Sequence, residues 1–280
     1  MKLYSINTGN FKLDGGAMFG VVPKTIWQKT NPADANNLCT WAMRSLLIED
    51  EGRLILIDTG IGNKQSEKFF SHYFLHGDDT LDKSLAKNGF NRDDITDVFL
   101  THLHFDHVGG AVVRENDRLI PAFKNAVFWS NAKHWDWAVN PNEREKASFL
   151  SENILPLKES GKLQFIQEEQ DVSFSSNISL KFVYGHTDAM MLPVIRYKDK
   201  TIVYMADLVP SVGHIPLPYV MAYDMFPLKT LTEKQAFMKE AASNDYILFL
   251  EHDPVNECCT LTQTEDKIRL KSTFLLKDIL

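Results

Sequence analysis

The sequence predicts an α/β domain in which two facing sheets are each covered by helices, and three observations lead to this prediction. The chain has 280 residues and is 44% apolar, so it can bury one large core. Five short apolar runs each lead into an aspartate or a histidine. Helix-start signals occur in both halves of the chain, among these strand-like runs, and that alternation favours helices packed against sheets.

The five apolar runs are the strands that we expect to carry functional residues. Side chains at strand ends are held by a sheet and open toward a loop, so rigid sites tend to be built there. The runs are 54–57 before Asp58, 98–100 before His102, 182–184 before His186, 202–206 before Asp207, and 246–250 before His252.

Other local signals complete the predicted elements. Strand-like runs at 192–197 and 201–206 flank a short polar turn and predict a hairpin. Thr232 and Gln235 have capping-box spacing, which predicts a helix from there to about Ser243. Asn142 predicts the start of another helix, reaching about Leu155. No low-complexity linker interrupts the chain, so residues 1–280 are predicted to form a single domain.

Residues 101–110, Thr-His-Leu-His-Phe-Asp-His-Val-Gly-Gly, indicate a metal site. Three histidines and one aspartate fall within six positions, and imidazole and carboxylate are ligands that divalent cations such as zinc prefer. In an extended segment His102 and His104 point to the same side, because side chains alternate. Asp106 and His107 are adjacent and cannot share one direction, so we expect them to serve a second centre.

This motif resembles the signature of the metallo-β-lactamase superfamily. It is most similar to the dinuclear branch that includes quorum-quenching lactonases and methyl parathion hydrolase-like enzymes. The order of His186, Asp207 and His252 after the motif also follows the family, so the resemblance covers roughly residues 40–260. It implies a single metallo-β-lactamase-like domain with a four-layer αββα sandwich, two facing mixed sheets flanked by helices.

The resemblance also implies a role for each residue of the motif. The site would hold two divalent metal ions, zinc before manganese, iron or cobalt, and a bridging hydroxide would open a small ester-like bond. Asp58 would orient a ligand histidine, and Asp106 and Asp207 would be catalytic as well as metal-binding. The implied ligands are His102, His104 and His186 for one ion, Asp106, His107 and His252 for the other, and Asp207 for both.

The implied substrate class is a lactone, an acyl-homoserine lactone or a related ester. Acyl-homoserine lactonases carry a tyrosine three residues after the bridging aspartate, whereas this chain has Pro210 there. Phosphotriesterase, arylesterase or β-lactamase-type activity is the alternative, and a metal-stabilised binding scaffold without turnover is the non-enzyme alternative.

Residues outside the ligand set are expected to shape a substrate pocket. Met18 and Phe19 lie in a turn-rich segment at 14–23 with exposed-looking apolar residues, which in relatives covers the active site. His214 closely follows the bridging aspartate, and Tyr219 or Tyr223 is a candidate to replace the missing tyrosine. Three further histidines, His72, His76 and His134, are predicted to lie at the surface without a functional role.

The net charge, the apolar segments and the cysteine count of the chain limit the kinds of partner that it is expected to bind. The net charge is −7 and no basic run is present, which argues against nucleic-acid binding. No stretch is long and apolar enough to span a membrane, and the N-terminus turns polar too early for a signal peptide. Three cysteines, an odd number, favour a reduced, cytoplasmic protein. The expected partner is therefore a small-molecule ester or lactone, and a homodimer stays open.

Overall fold

The computed structural model describes residues 1–169, 172–265 and 267–280. Its contacts define two compact units. Unit 1 comprises Met1–Asn10, Met43–Glu169 and Leu280, and unit 2 comprises Phe11–Ala42 and the described part of 170–279. The prediction of a single domain over 1–280 stays a prediction.

Regular elements occupy most of both units. The strands are β1 Lys2–Asp14, β2 Leu38–Asp50, β3 Arg53–Ile57, β4 Asp97–Phe99, β5 Val112–Glu115, β6 Arg118–Pro121, β7 Val127–Asn131, β8 Leu163–Ile166, β9 Val172–Ser175, β10 Ile178–Val183, β11 Met190–Tyr197, β12 Lys200–Tyr204, β13 Ile247–Phe249, β14 Cys258–Thr264 and β15 Lys267–Phe274. The helices are α1 Gly15–Phe19, α2 Lys24–Trp27, α3 Glu67–Phe70, α4 Leu81–Lys87, α5 Phe105–Val108, α6 Ala132–Val139, α7 Ser151–Glu159 and α8 Pro227–Ser243.

The sheet of unit 1 is mixed, with the order β1-β2-β3-β4-β7-β8. Strands β3, β4, β7 and β8 are parallel, whereas β2 and β3 are antiparallel. Leu47, Leu56, Val98 and Phe128 are fully buried in its core. Because β3 and β4 are parallel, with Ile57 opposite Phe99, the residues that follow them emerge at the same edge of the sheet.

The sheet of unit 2 has the order β15-β14-β13-β12-β11-β10-β9, and helix α8 packs against β14 and β15. Its described pairings are antiparallel except for β12 with β13, where Tyr204 lies opposite Phe249. The chain leaves both of these strands at one edge, and Met205 N donates to Phe249 O at 3.0 Å. This parallel pair brings the residues after β12 and β13 close together.

The predicted hairpin is confirmed by β11 and β12, but two predicted helix starts are wrong. Helix α8 begins at Pro227, five residues before the capping-box spacing, since proline suits a first helical turn. Thr232 lies inside that helix and donates to Leu228 O at 3.1 Å. Asn142 caps a turn, because its side chain accepts hydrogen bonds from two following backbone amides, and helix α7 begins only at Ser151.

Within the described part of the chain, none of the helices combines the length and apolar character needed to cross a membrane. The cytoplasmic location and the homodimer considered above stay predictions.

Candidate metal centre

Asp58 organises the ligand-bearing edge of unit 1. The residue is fully buried directly after β3, with a left-handed backbone (φ 55°) that suits aspartate better than most residues. Its carboxylate accepts hydrogen bonds from Thr101 N at 2.8 Å and from Thr101 Oγ1 at 2.7 Å. The same carboxylate lies 3.1 Å from Nδ1 of His107. Asp58 therefore holds the start of the histidine motif and one of its imidazoles in place.

The two leading histidines of the motif converge as the alternation rule predicts. His102 Nε2 lies 3.1 Å from His104 Nδ1, and both side chains are buried. The far ring nitrogen of each is also held: His102 Nδ1 lies 3.1 Å from Thr101 Oγ1, and His104 Nε2 lies 2.9 Å from Glu145 Oε1. The two facing nitrogens thus point into one small space, as nitrogen ligands of a cation would.

Asp106 and His107 lie on the single turn of helix α5. His107 Nε2 is 3.8 Å from Asp106 Oδ2, and its Nδ1 faces Asp58. Since Nδ1 is occupied by Asp58, Nε2 is the nitrogen that His107 can offer to a metal. The pair is adjacent in sequence yet brings one nitrogen and one oxygen within ligand distance of each other.

Two glycines lock this segment against the turn after β3. A Cβ at Gly109 would lie 2.1 Å from Ile61 O, and one at Gly110 would lie 2.2 Å from Thr59 O. Backbone hydrogen bonds accompany the contact, from Thr59 N to His107 O and from Gly110 N to Gly60 O, each at 2.8 Å. Only glycine allows this close approach of two backbones, so the motif needs both.

Unit 2 brings together the other three predicted ligands. Asp207 Oδ2 lies 3.1 Å from His186 Nε2, and Asp207 Oδ1 lies 3.0 Å from His252 Nε2. Each imidazole is anchored through its other nitrogen, His186 Nδ1 by Asp224 at 2.9 Å and His252 Nδ1 by Ala42 O at 2.7 Å. One carboxylate therefore faces two histidines through its two oxygens, which is the arrangement that a bridging ligand requires.

Electrostatics around His186 show how strongly this cluster favours positive charge. Burial alone would lower the pKa of His186, but the carboxylates of Asp207 and Asp224 on its two sides raise the pKa to about 10. Without a cation, the imidazole carries the positive charge that the two carboxylates demand.

In each unit the donor set fits a divalent cation of borderline softness. The ligands are imidazole nitrogens and carboxylate oxygens, while the three cysteines are free and buried elsewhere. Four of the imidazoles are oriented by a carboxylate or a carbonyl on the far nitrogen, the usual support of a metal-binding histidine. The seven predicted ligands are between 0 and 8% exposed.

Three of the orienting contacts were missed or misjudged in the sequence. Glu145 and Asp224, which hold His104 and His186, lie in irregular segments 41 and 38 positions away and carry no local signal. His134 is fully buried, so its predicted surface position is wrong; its Nε2 accepts from Leu103 N at 2.8 Å. His72 and His76 are exposed as predicted.

The predicted pocket residues Met18, Phe19 and His214 form a buried cluster in unit 2. Met18 and Phe19 end helix α1 and are 2% and 0% exposed, because they pack into the core instead of extending from a loop. Phe19 stacks on His214, with ring centroids 4.4 Å apart. His214 Nε2 lies 2.9 Å from Met18 O, and its Nδ1 lies 2.9 Å from Ser211 Oγ. Both ring nitrogens of His214 therefore have protein partners.

The two candidate tyrosines differ in their surroundings. Tyr219 is half-buried, and its ring meets Phe19 edge-on at 6.2 Å. Its backbone carbonyl accepts from Lys234 Nζ at 2.9 Å, which fixes the segment after His214. Tyr223 is 36% exposed. The role of either tyrosine toward a substrate stays a prediction.

An aromatic surface beside Asp106 was not recognised in the sequence. Phe105 meets Phe69 edge-on at 5.4 Å and Tyr73 at 4.7 Å, and the last two are half-buried. Burial and the nearby charge of Asp106 raise the pKa of Tyr73 to about 12, so its phenol is neutral at physiological pH. Helix α3 and the turn after it thus supply unit 1 with an apolar wall next to a predicted ligand.

Comparison with known protein families shows which family has this fold and this set of predicted ligands. The family model described as the metallo-beta-lactamase superfamily matches residues 44–252, which is more than half of the chain and includes all seven predicted ligands. The chain belongs to the metallo-beta-lactamase superfamily. Its mixed sheets and flanking helices are those of the α/β metallo-β-lactamase sandwich, so the predicted fold class is confirmed, as is its assignment to the hydrolases of this superfamily.

Several known proteins are similar to this chain. An N-acyl homoserine lactonase from Bacillus thuringiensis is 26% identical over 196 residues, a match that spans 66% of each protein. A probable metal-dependent hydrolase from Staphylococcus aureus is 28% identical and superposes with a TM-score of 0.89, over 98% of this chain and 96% of that one. The dizinc quorum-quenching lactonase AidC, 24% identical, has the same fold, with a TM-score of 0.80 over 98% of this chain and 95% of its own.

Proposed function

We propose that the seven predicted ligands hold two divalent metal ions, and that the protein uses them to hydrolyse a small ester-like bond. The superfamily match spans every one of these ligands, which supports the proposal. The proposed ligands are His102, His104, His186 and Asp207 for one ion, and Asp106, His107, His252 and the shared Asp207 for the other.

The observation that carries the proposal is the position of Asp207. Its two oxygens lie 3.0 and 3.1 Å from the Nε2 atoms of His252 and His186, two histidines assigned to different ions. A carboxylate that served only as a hydrogen-bond partner would not need a separate imidazole on each oxygen. Zinc is the metal we propose first, because imidazole and carboxylate donors without thiolate suit it and it keeps open positions in catalytic sites.

When bound, such ions lower the pKa of water and polarise a carbonyl or phosphoryl oxygen. The protein's own residues hold the metal ligands in the orientation that metal binding requires. Asp58 and Asp224 fix the tautomers of His107 and His186, so that the imidazoles need no reorganisation when they bind. Asp106 places a carboxylate beside His107, where it is suited to orient an attacking water molecule.

A lactone is the substrate class that we propose. The Bacillus thuringiensis relative is named as an N-acyl homoserine lactonase, and the wall of Phe69, Tyr73 and Phe105 next to Asp106 suits an apolar acyl group. Pro210 has no hydroxyl to stabilise an oxyanion, so we expect homoserine lactones to be slower substrates than in lactonases that carry a tyrosine there.

A screen of the zinc-reconstituted protein against four substrate classes tests the function. The classes are lactones with alkyl or acyl tails, arylesters, phosphotriesters and β-lactams, compared by kcat/KM. We expect lactones to be hydrolysed most efficiently, arylesters and phosphotriesters less so, and β-lactams hardly at all. Efficient β-lactam cleavage with inert lactones would overturn the substrate assignment, and two bound metals without any turnover would indicate a binding scaffold.

A further inference from the structure

Glu145 makes a buried contact with the far side of a predicted metal ligand. Its side chain is 1% exposed, and Oε1 lies 2.9 Å from Nε2 of His104. The other oxygen, Oε2, accepts hydrogen bonds from Trp137 Nε1 at 2.6 Å and from Asn142 Nδ2 at 3.4 Å. Burying an unpaired carboxylate costs free energy. The three hydrogen-bond partners of Glu145 offset that cost and hold its side chain in one position.

The segment around Glu145 is shaped to present it. Asn142 Oδ1 accepts from Arg144 N at 2.9 Å and from Glu145 N at 3.1 Å, which forms a compact asparagine turn at this point. Ser148 N then donates to Glu145 O, and Phe105 N donates to Ser148 O at 2.9 Å. The turn that carries Glu145 is thereby tied to the residue next to His104.

The direction of the contact decides which nitrogen His104 offers to a metal. A neutral imidazole carries its proton on one nitrogen and a lone pair on the other. A carboxylate at 2.9 Å from Nε2 accepts that proton, which leaves the lone pair on Nδ1. Nδ1 is the atom that lies 3.1 Å from His102 Nε2, where the two nitrogens converge.

We propose that Glu145 is a positioning residue that fixes the Nε2–H tautomer of His104 and strengthens its Nδ1 as a metal ligand. This inference rests on the proposed function, since it assumes a metal between His102 and His104. Trp137 and Asn142 donate hydrogen bonds to the other oxygen of Glu145 and so hold its carboxylate against the His104 imidazole. A charged acceptor makes the ring nitrogen opposite a better electron donor, and loss of such a partner usually lowers metal affinity about 10–100-fold.

The rival explanation is that Glu145 serves stability alone. A purely structural carboxylate would change the melting temperature when removed but would leave zinc binding and the state of His104 unaltered. The test therefore measures zinc affinity and the histidine Nε2–H signals in the same variants, two properties that a purely structural role would not change, and it does not depend on turnover.

The experiment uses the full-length protein as wild type and as Glu145→Ala, Glu145→Gln and Glu143→Gln. Glu143→Gln removes the same charge two residues away; its side chain is 91% exposed and pairs only with surface Lys146 among the described contacts, so it is the matched control. Zinc affinity is measured by competition with a chromophoric chelator. The Nε2–H signals of the zinc-loaded, ¹⁵N-histidine-labelled protein are recorded by NMR.

We expect Glu145→Ala to weaken one of the two zinc sites about 10–100-fold and to remove one downfield Nε2–H signal. Glu145→Gln keeps an oxygen acceptor but loses the charge, so we expect a loss near the lower end, about 10-fold, with the signal shifted upfield. Glu143→Gln should match the wild type. If Glu145→Ala is too unstable to purify, Glu145→Gln decides the question.

Wild-type zinc affinities and an unchanged NMR signal in both Glu145 variants would overturn the positioning role while leaving the dinuclear centre intact. A wild-type protein that binds no zinc would instead contradict the proposed function, and this inference with it. The two failures are therefore distinguishable in one set of titrations.

Discussion

Asp224 Oδ1 lies 2.9 Å from His186 Nδ1, and the other oxygen of Asp224 accepts from Met221 N at 3.2 Å. One oxygen of the Asp224 carboxylate is thus held by the turn that begins at Met221, and the other oxygen orients the His186 imidazole. Two further backbone bonds, from Met225 N to His186 O and from Phe226 N to Gly185 O, join the segment before helix α8 to the histidine loop. The segment that leads into helix α8 therefore holds His186 in position.

We predict that Asp224→Asn lowers zinc affinity about 10–100-fold, because an uncharged amide oxygen is a weaker acceptor for the Nδ1 proton than a carboxylate. Chelator competition measures the loss. Asp199→Asn is the control, since Asp199 is a surface residue of the β11–β12 turn with an 82% exposed side chain. An Asp224→Asn protein with the affinity of the control would show that the contact is unimportant for the metal.

Two other carboxylates should behave differently from each other. Asp207→Ala removes an oxygen donor from both proposed ions, so metal and activity should be lost together. Asp58→Asn tolerates the left-handed backbone at this position (φ 55°) and replaces the carboxylate that faces His107 and Thr101 with a weaker, uncharged acceptor. It removes no proposed metal ligand, so we expect most of the metal to remain, with affinity or rate about 10–100-fold lower. Elemental analysis and kcat/KM on both variants check this, and equal losses in the two would refute it.

Gly110→Ala should lower the stability of the folded protein, an effect that can be measured without metal or substrate. A methyl group there would lie 2.2 Å from Thr59 O, a backbone atom that cannot move without breaking the contact between the motif and the turn after β3. We expect the metal-free protein to lose about 3 kcal/mol of stability. Gly52→Ala is the comparison, because nothing lies within 4 Å of its added methyl and only left-handed strain, about 1–2 kcal/mol, is introduced. Equal shifts in melting temperature would contradict the close-packing argument.

His214 should make the protein sensitive to acid. Burial lowers the pKa of His214 from 6.5 to about 3; Met18 O raises it, nearby Lys234 and His252 lower it, and Asp207 raises it. Between pH 6.5 and 3 the unfolded chain therefore binds one more proton at this residue than the folded protein, so stability falls as the pH falls through this window.

Urea unfolding of the metal-free protein at several pH values from 4 to 6 measures that dependence. The free energy of unfolding should change with pH less steeply in His214→Gln than in the wild type, by about 1.4 kcal/mol per pH unit for one proton. Identical slopes would mean that His214 takes up a proton as readily in the folded protein as in the unfolded chain.

The sequence predicted those parts of the site that are coded locally. His102, His104, Asp106 and His107 lie within six positions, and Asp207 and His252 follow apolar runs that form neighbouring parallel strands. These features depend on alternation and on strand ends, which are visible in one dimension.

The supporting residues could not be predicted because their partners are remote. Glu145 and Asp224 sit in turns, and nothing in the surrounding residues distinguishes them from surface carboxylates. The sequence around His134 in helix α6 suggests a surface residue, yet His134 is buried, and its ring accepts a hydrogen bond from Leu103 N, 31 positions earlier. Only the packed structure defines such contacts.

The number of metal ions per chain tests the central claim most directly. Protein stripped with a chelator, reconstituted with excess zinc and freed of unbound metal should contain two zinc ions per chain by elemental analysis, since seven nitrogen and oxygen ligands provide two sites with open positions. A reproducible content of two would support the dinuclear centre. A reproducible content of one, or of none, would contradict it.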